Sequence, residues 1–351
     1  MRENEYHSNQ AIIRIWGFMK ILVTGAAGFV GSHLSLLLQE EGNSVHGIDN
    51  LSPYYAPDLK NLRIEKLLNP ANIQFTNLNL IEKNSLRNLL DKDDFDSVIH
   101  LAAQPGVRTP LNRSNEYIEN NIQAFTNVLQ LVTELGIPNF LYASSSSVYG
   151  NSKKIPYSES SEDVHPVSIY GATKRANEIL APTYVRGSST RARGLRFFTV
   201  YGPWGRPDMA YFRLINCGVN KTEFTRFGDG HVKRDFTYIS DITHQISGLH
   251  KQLIGQEKGF SDIVNIGGGN PHSLNDLIES VNSEMDSDIH VLISKMNPND
   301  TLYTCADVSL QKSLTGFVPK VSLAAGIQDT IDWARSTDIS LNLDRWVRST
   351  N

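Results

Sequence analysis

The stretch Lys20-Ile-Leu-Val-Thr24, followed at once by Gly25-x-x-Gly28-x-x-Gly31, constrains the fold more than any other feature of this 351-residue chain. A short apolar run of this kind reads as a buried strand. The residues after the glycines, through Leu34, Leu37 and Leu38, carry the period of an amphipathic helix. Three glycines between strand and helix serve distinct ends. One makes the turn, one lets backbone N–H groups approach a pyrophosphate, and one packs helix against strand. Val45 to Ile48 is a second strand, ending in Asp49, eighteen residues after Gly31. A carboxylate there accepts bonds from ribose hydroxyls and repels an extra phosphate. Strand, loop, helix and acid together read as an NAD site.

The same rhythm continues. Strand-like runs recur at Ile73–Phe75, Ser97–Leu101, Asn139–Ala143 and Leu195–Thr199, separated by helical patterns, notably Glu116–Leu135 and Tyr170–Tyr184. Alternating strand and helix predicts a Rossmann-type α/β fold, a doubly wound parallel sheet with helices on both faces. After Gly202 the pattern loosens through Pro203, Gly205 and Pro207. The expected division is an extension over 1–18, an NAD-binding domain over 19–202 with 236–253 returning to it, and a smaller α/β substrate lobe over 203–235 and 254–335. A polar tail over 336–351 completes it. Met19 is a candidate true start.

Chemistry enters with SIYGATK. Tyr170 and Lys174 stand four apart, so on a helix they share a face. An ammonium beside a phenol favours phenolate and moves the tyrosine towards the range of a general base. A serine run, Ser144 to Ser147, follows an apolar strand about twenty-five residues upstream, where a hydroxyl can share the proton of a substrate alcohol. Tyr-x-x-x-Lys alone is also what an exposed helix face with a snorkelling lysine looks like. Combined with the glycine loop, it points to alcohol–ketone chemistry on a nicotinamide. Leu101-Ala-Ala-Gln-Pro-Gly-Val-Arg108 ends its strand in small residues suited to a flat cofactor ring. Arg108, Arg206 and Arg234 are candidates for anionic substrate groups, because guanidinium matches carboxylate and phosphate forks.

These segments resemble the extended short-chain dehydrogenase family of nucleotide-sugar enzymes, and more narrowly the UDP-glucuronate 4-epimerases. The matching stretches are TGAAGFVGSHL, GIDNLSPYY, HLAAQPGVR, ASSSSVYG, HPVSIYGATKRANE, GLRFFTVYGPWGRPDM and KRDFTYISDI, spread from residue 20 to about 308. The resemblance implies Tyr170 as base, Lys174 on the nicotinamide ribose, and Ser145 polarising the sugar 4-hydroxyl. It places Ser146, Thr199 and Arg206 around the sugar carboxylate, Arg234 at the diphosphate and Asp300 at the uridine ribose. Gly25, Gly28, Phe29, Val30, Gly31, Asp49, Asn50, Leu101, Ala102, Ala103, Gln104 and Asn120 would line NAD. Sugar dehydratases and decarboxylases of this kind carry carboxylates at the positions of Ser146 or Ser147, and here both are hydroxyls. Oxidation and re-reduction at C4 is then what the resemblance leaves, with the sugar turning over as a transient 4-keto species. It also implies a homodimer built on the helices 116–135 and 170–184.

One segment departs from the family. APTYVRGSSTRAR, residues 181–193, replaces an apolar helix end and turn of equal length, as divergence or a short compensated frameshift would do. Its Pro182 falls in a helix interior, where proline costs about 3 kcal/mol. The bulk numbers are consistent with an enzyme. A net charge of −4 gives no reason to expect nucleic acid or a membrane surface as partner. Two cysteines, Cys217 and Cys305, make neither a disulfide framework nor a zinc site and suit a cytoplasmic location. No apolar stretch reaches the roughly 18–20 residues that span a bilayer. The rival readings are a UDP-glucose or UDP-N-acetylglucosamine 4-epimerase, another nucleotide-sugar epimerase or dehydratase, a dehydrogenase with net redox output, and a catalytically silent NAD- and nucleotide-sugar-binding protein.

Overall fold

In the computed structural model the described residues are 18–107, 111–295, 301–336, 339 and 343–348. The strands are Lys20–Thr24 (β1), Ser44–Asp49 (β2), Gln74–Asn77 (β3), Ser97–His100 (β4), Asn139–Ser145 (β5), Arg191–Phe197 (β6), Thr199–Tyr201 (β7), Phe224–Phe227 (β8), Lys233–Tyr238 (β9), Ser261–Ile266 (β10), Pro271–Ser273 (β11) and Val291–Ser294 (β12). Seven of them form one sheet in the order β10-β6-β5-β4-β1-β2-β3, every pairing parallel. The order reverses between β1 and β4, and the crevice beyond their carboxyl ends is where such sheets bind ligands.

The two-residue alternation of a strand builds both faces. Leu22, Val98, Phe140 and Tyr142 point into one core, shared with the helices Lys83–Lys92, Ala124–Glu134 and Ile169–Val185. Ile21, Val23, Ile99, Leu141 and Val264 point into the other, against the helices Phe29–Glu40 and Ile239–Ile254. Each such side chain, fully buried, contributes about 1.5–3 kcal/mol. The doubly wound parallel fold expected from the sequence is therefore present.

A third core belongs to a lobe built on a three-stranded sheet, β11-β9-β7, and a two-stranded one, β12-β8. Tyr201, Tyr211, Leu214, Leu277, Ile331 and Trp346 are buried together there.

The chain crosses between these units at other places than the sequence suggests. β6 and β7 are not one strand. The Phe198 amide bonds to Ile266 O at 3.0 Å, and Thr199 then starts pairing with Phe236 in the small sheet. Thr199–Tyr201 thus leaves the 19–202 unit. β10, expected in the substrate lobe, is instead the edge strand of the large sheet beside β6. Of the expected return segment only the part from Ile239 lies on the large sheet, as the helix Ile239–Ile254, since Lys233–Tyr238 is a strand of the small sheet. The 336–351 segment is no polar tail where it is described: Ile339, Leu343 and Trp346 are buried in the lobe core. A period-3.6 apolar pattern too short to read against its polar neighbours hid it. Residues 1–17, most of the expected extension, lie outside the described residues.

The departing segment is accommodated. The helix Ile169–Val185 runs through Pro182, close to its end. Arg193 is fully buried, with Nε and Nη2 each 2.7 Å from an Asp262 oxygen and Nη1 3.1 Å from Leu249 O. A guanidinium so placed is tolerated because its fork is filled.

Candidate active site

The glycine loop leaves β1 with Gly25 at φ +73°, a left-handed turn that favours glycine. A Cβ on Gly25 would sit 2.8 Å from Ala102 N, and one on Gly31 would sit 2.1 Å from Gly25 O. These two glycines therefore bring β4's exit loop and the helix against the turn. Gly28 is the N-cap of the helix Phe29–Glu40 and supplies no side-chain cap, leaving the first-turn amides to the crevice. The cradle fits a pyrophosphate. Asp49 is buried at the end of β2, and its Oδ1 accepts from the Leu51 amide at 2.8 Å. Lys60 Nζ, also buried, lies 3.5 Å from the same oxygen. Asp49 lines the same cleft as the glycine loop, as a ribose-binding carboxylate would.

The exit loop of β4 is latched to the neighbouring helix. Asn121 Oδ1 accepts from the Gln104 amide at 2.7 Å, and its Nδ2 donates to Gln104 O at 3.0 Å and Thr173 Oγ1 at 3.1 Å. The helix makes a π turn over Ile118–Gln123. The extra residue lets Asn120 face the crevice while its neighbour Asn121 faces the core. The predicted helix over 116–135 is thus broken into three registers, which alternation alone does not reveal.

Tyr170 and Lys174 lie on the helix Ile169–Val185, capped by Ser168 Oγ, which accepts from the Gly171 amide at 3.0 Å. Lys174 is buried and donates to Ala143 O at 2.8 Å, with Nζ 5.9 Å from the Tyr170 ring centre. Burial pushes its ammonium down to about 7. Tyr170 differs from expectation. Burial pushes its phenol up, and what opposes that is the Arg206 charge and a hydrogen bond with Ser145. Lys174, engaged with Ala143 O, is not among the groups that lower the phenol here. Arg206 in turn is forked by Asp208, at 3.0 Å from Nε, with its guanidinium 5.8 Å from the Tyr54 ring centre. Desolvation opposes its charge, but Asp208 outweighs that and holds the guanidinium above its ordinary range.

The serine run begins at the end of β5. Ser144 Oγ donates to Glu178 Oε1 at 2.6 Å, and Ser145 Oγ to Ser147 Oγ at 3.1 Å. Glu178 follows Lys174 by four residues and pairs with Arg196 through bonds of 2.8 and 2.9 Å, both side chains buried. This pair welds β5, β6 and the Tyr170 helix beneath the site.

One cleft of about 820 Å3 gathers these groups. Gly25, Gly28, Phe29, Val30, Gly31, Asp49, Asn50, Leu101, Ala102, Ala103, Gln104 and Asn120 line one arm. Ser145, Ser146, Tyr170, Lys174, Thr199, Arg206 and Arg234 line the rest. Arg108 and Asp300 lie outside the described residues. Sequence reasoning missed Lys60, Arg63, Tyr54 and the Glu178–Arg196 pair. Lys60 and Arg63 share a helix face three residues apart, the only linear trace, and basic residues so spaced usually face solvent. Among the described residues no cluster of potential metal ligands occurs, and no helix is long and apolar enough to cross a membrane.

Known proteins match this architecture along most of its length. The chain is 38% identical over 329 residues to UDP-glucuronate 4-epimerase 4 of Arabidopsis thaliana, covering 89% of this chain and 74% of that one. The solved UDP-glucuronic acid 4-epimerase of Bacillus cereus, in complex with UDP-glucuronic acid and NAD, superposes with a TM-score of 0.80 at 36% identity, over 90% of this chain and 98% of that one. The UDP-glucose 4-epimerase of Thermotoga maritima, solved with UDP-glucose, superposes with a TM-score of 0.81 at 26% identity, over 91% and 99% of the two chains. Residues 21–267 match the model of the NAD dependent epimerase/dehydratase family, and with the dinucleotide cradle and the Ser–Tyr–Lys cluster in one cleft, the chain belongs to that family and is an NAD-dependent epimerase.

Proposed function

We propose that the protein interconverts the C4 epimers of a UDP-sugar, UDP-glucuronate and UDP-galacturonate. One observation carries the reading. Among the described residues lining the cleft, Asp49 is the sole carboxylate, held at the end of β2 by the Leu51 amide and Lys60, while the nearby Asp208 is committed to Arg206. Removing water across C5–C6 needs an acid and a base beside the sugar. Here the sugar end offers hydroxyls, Tyr170 and arginine instead. What such a set can move is the proton of an alcohol. Bound NAD supplies the acceptor and donor of hydride at C4.

Tyr170 takes the C4 hydroxyl proton and later returns one to the C4 oxygen of the epimer. Ser145, bonded to Tyr170 and Ser147, holds that oxygen in line. Lys174, which donates to Ala143 O, would hold the nicotinamide ribose with an N–H that this bond leaves over. Between the two transfers the 4-keto sugar turns about its phosphate link, and Arg234 anchors the diphosphate. Thr199 and Arg206 hold the carboxylate of what is now a β-keto acid. Kept in a plane where the C–C bond overlaps poorly with the ketone, it does not lose carbon dioxide. Asp300 and Arg108 complete the uridine and anion contacts in this reading. Two copies would pair through the helices carrying Ile118 and Ile179, both exposed, and a monomer mass by light scattering would exclude that assembly.

Proton NMR of the purified protein with UDP-glucuronate and no added cofactor tests the reading through the galacturonate anomeric signal. UDP-glucose runs in parallel, and faster turnover of the neutral sugar sinks the uronate assignment. Thr199→Ala or Arg206→Gln should leak decarboxylated 4-keto pentose; retained turnover without that product removes their role.

A further inference from the structure

Arg63 takes no part in the chemistry above, yet it is fully buried and every one of its N–H groups is used. Nε donates to Trp204 O at 2.9 Å, and Nη2 to Trp204 O at 2.6 Å and Gly205 O at 3.0 Å. Nη1 donates to Ala27 O at 3.0 Å and to the Tyr55 hydroxyl at 2.6 Å. Ala27 belongs to the glycine loop, and Trp204-Gly205 leads directly into Arg206. These acceptors are all neutral, and among the described residues no carboxylate pairs with Arg63. A buried cation without a counter-charge is costly, unless an anion arrives. The place behind the glycine loop, at a helix N-terminus, is where a pyrophosphate brings one.

The loop it grips needs holding. Trp204 sits at φ +61°, a left-handed conformation that a bulky residue rarely adopts. A Cβ on Gly205 would fall 1.7 Å from the Tyr211 hydroxyl, so the loop has no slack to relax into. Through Arg63 the carbonyl oxygens of this loop and of Ala27 share one guanidinium.

We infer that Arg63 is a positioning residue with two separable actions: its charge favours the dinucleotide's pyrophosphate, and its fork sets the Trp204–Gly205 loop and thereby Arg206. The second action rests on Arg206 meeting the substrate carboxylate; the first does not. Lysine keeps the charge and cannot reproduce the five-donor fork, whereas glutamine loses both.

The experiment uses full-length protein with Arg63→Lys and Arg63→Gln. It reads dinucleotide released per chain on acid denaturation, then KM and kcat for UDP-glucuronate at saturating NAD. Arg63→Lys should retain about 80% or more of the dinucleotide held by the unaltered chain, raise KM about tenfold, and leave kcat within about threefold. Arg63→Gln should raise KM similarly and lose half or more of its dinucleotide. A merely structural arginine would lower the melting temperature of both without this split. Equal dinucleotide content in both variants overturns the first action, and unchanged KM overturns the second. If neither variant folds, Tyr55→Phe removes one acceptor of the fork and should raise KM two- to fourfold; no rise overturns the fork. Should the unaltered chain ignore UDP-glucuronate, the substrate reading falls, and the retention arm still decides the charge because it needs no sugar.

Discussion

Replacing Glu178 by Gln is the perturbation whose size follows most directly from the structure. The carboxylate accepts four bonds: from Ser144 Oγ and Arg196 Nε on Oε1, and from Arg196 Nη2 and Arg175 Nη1 on Oε2. Arg175 is partly exposed, so its share is worth under about 1 kcal/mol. Arg196 is 2% exposed and stays buried when its partner loses its charge. Burial opposes its positive form, and Glu178 outweighs that and raises its pKa. Taking the counter-charge away should therefore cost about 3–5 kcal/mol, the usual result of orphaning one member of a buried pair. At about 2–4 °C per kcal/mol for chains of a few hundred residues, melting should fall by roughly 10 °C. Arg196→Met alone should cost a similar amount, and the double variant less than the sum, with a coupling of about 2–3 kcal/mol. Denaturant unfolding of the four proteins in the cycle measures it. Because Ser144 precedes Ser145, turnover at low temperature should also drop, by about tenfold or more, with dinucleotide content unchanged. A coupling under about 0.5 kcal/mol, or a Glu178→Gln loss below 1 kcal/mol, would refute the claim that this pair fastens the serine run to the catalytic helix.

Tyr170→Phe should lower kcat at least about a thousandfold while retaining dinucleotide; a smaller loss in a rapid-quench assay moves the base elsewhere. Lys174, ordinarily near 10.5 and pushed down to about 7, is neutral in the folded, dinucleotide-free chain where the unfolded chain still holds its proton. Stability from this group therefore rises with pH between about 7 and 10.5, and the penalty is complete below that window. Lys174→Met should thus melt higher than the unaltered apoprotein at pH 7, with the advantage shrinking by pH 9.5; a pH-independent difference contradicts it. Trp346→Ala should cost about 3–5 kcal/mol by leaving a cavity in the lobe core, and an unchanged melting curve would return the C-terminal segment to the status of a tail.

The glycine spacing, the strand before it and Asp49 after it were enough to specify the large sheet and its dinucleotide arm, because these are local requirements. A left-handed turn at Gly25 and a close approach at Gly31 each restrict the residue at one position, so the restriction is written in that position. The Tyr170–Lys174 face is likewise a matter of helical spacing, legible without any partner. Where the chain passes between sheet and lobe was not legible. β10 and β7 are short runs of similar composition, and which sheet each joins depends on hydrogen-bond partners more than sixty residues and thirty residues away. Tertiary structure alone also decided the electrostatics. Lys174 and Tyr170 are neighbours by sequence, yet enclosure by surrounding protein, together with Ala143, Arg206 and Ser145, governs the state of each. Arg63 and Glu178 look like ordinary charged residues on helix faces until distant backbone and side chains close around them. Burial is a property of the assembled volume, and no window along the chain contains it.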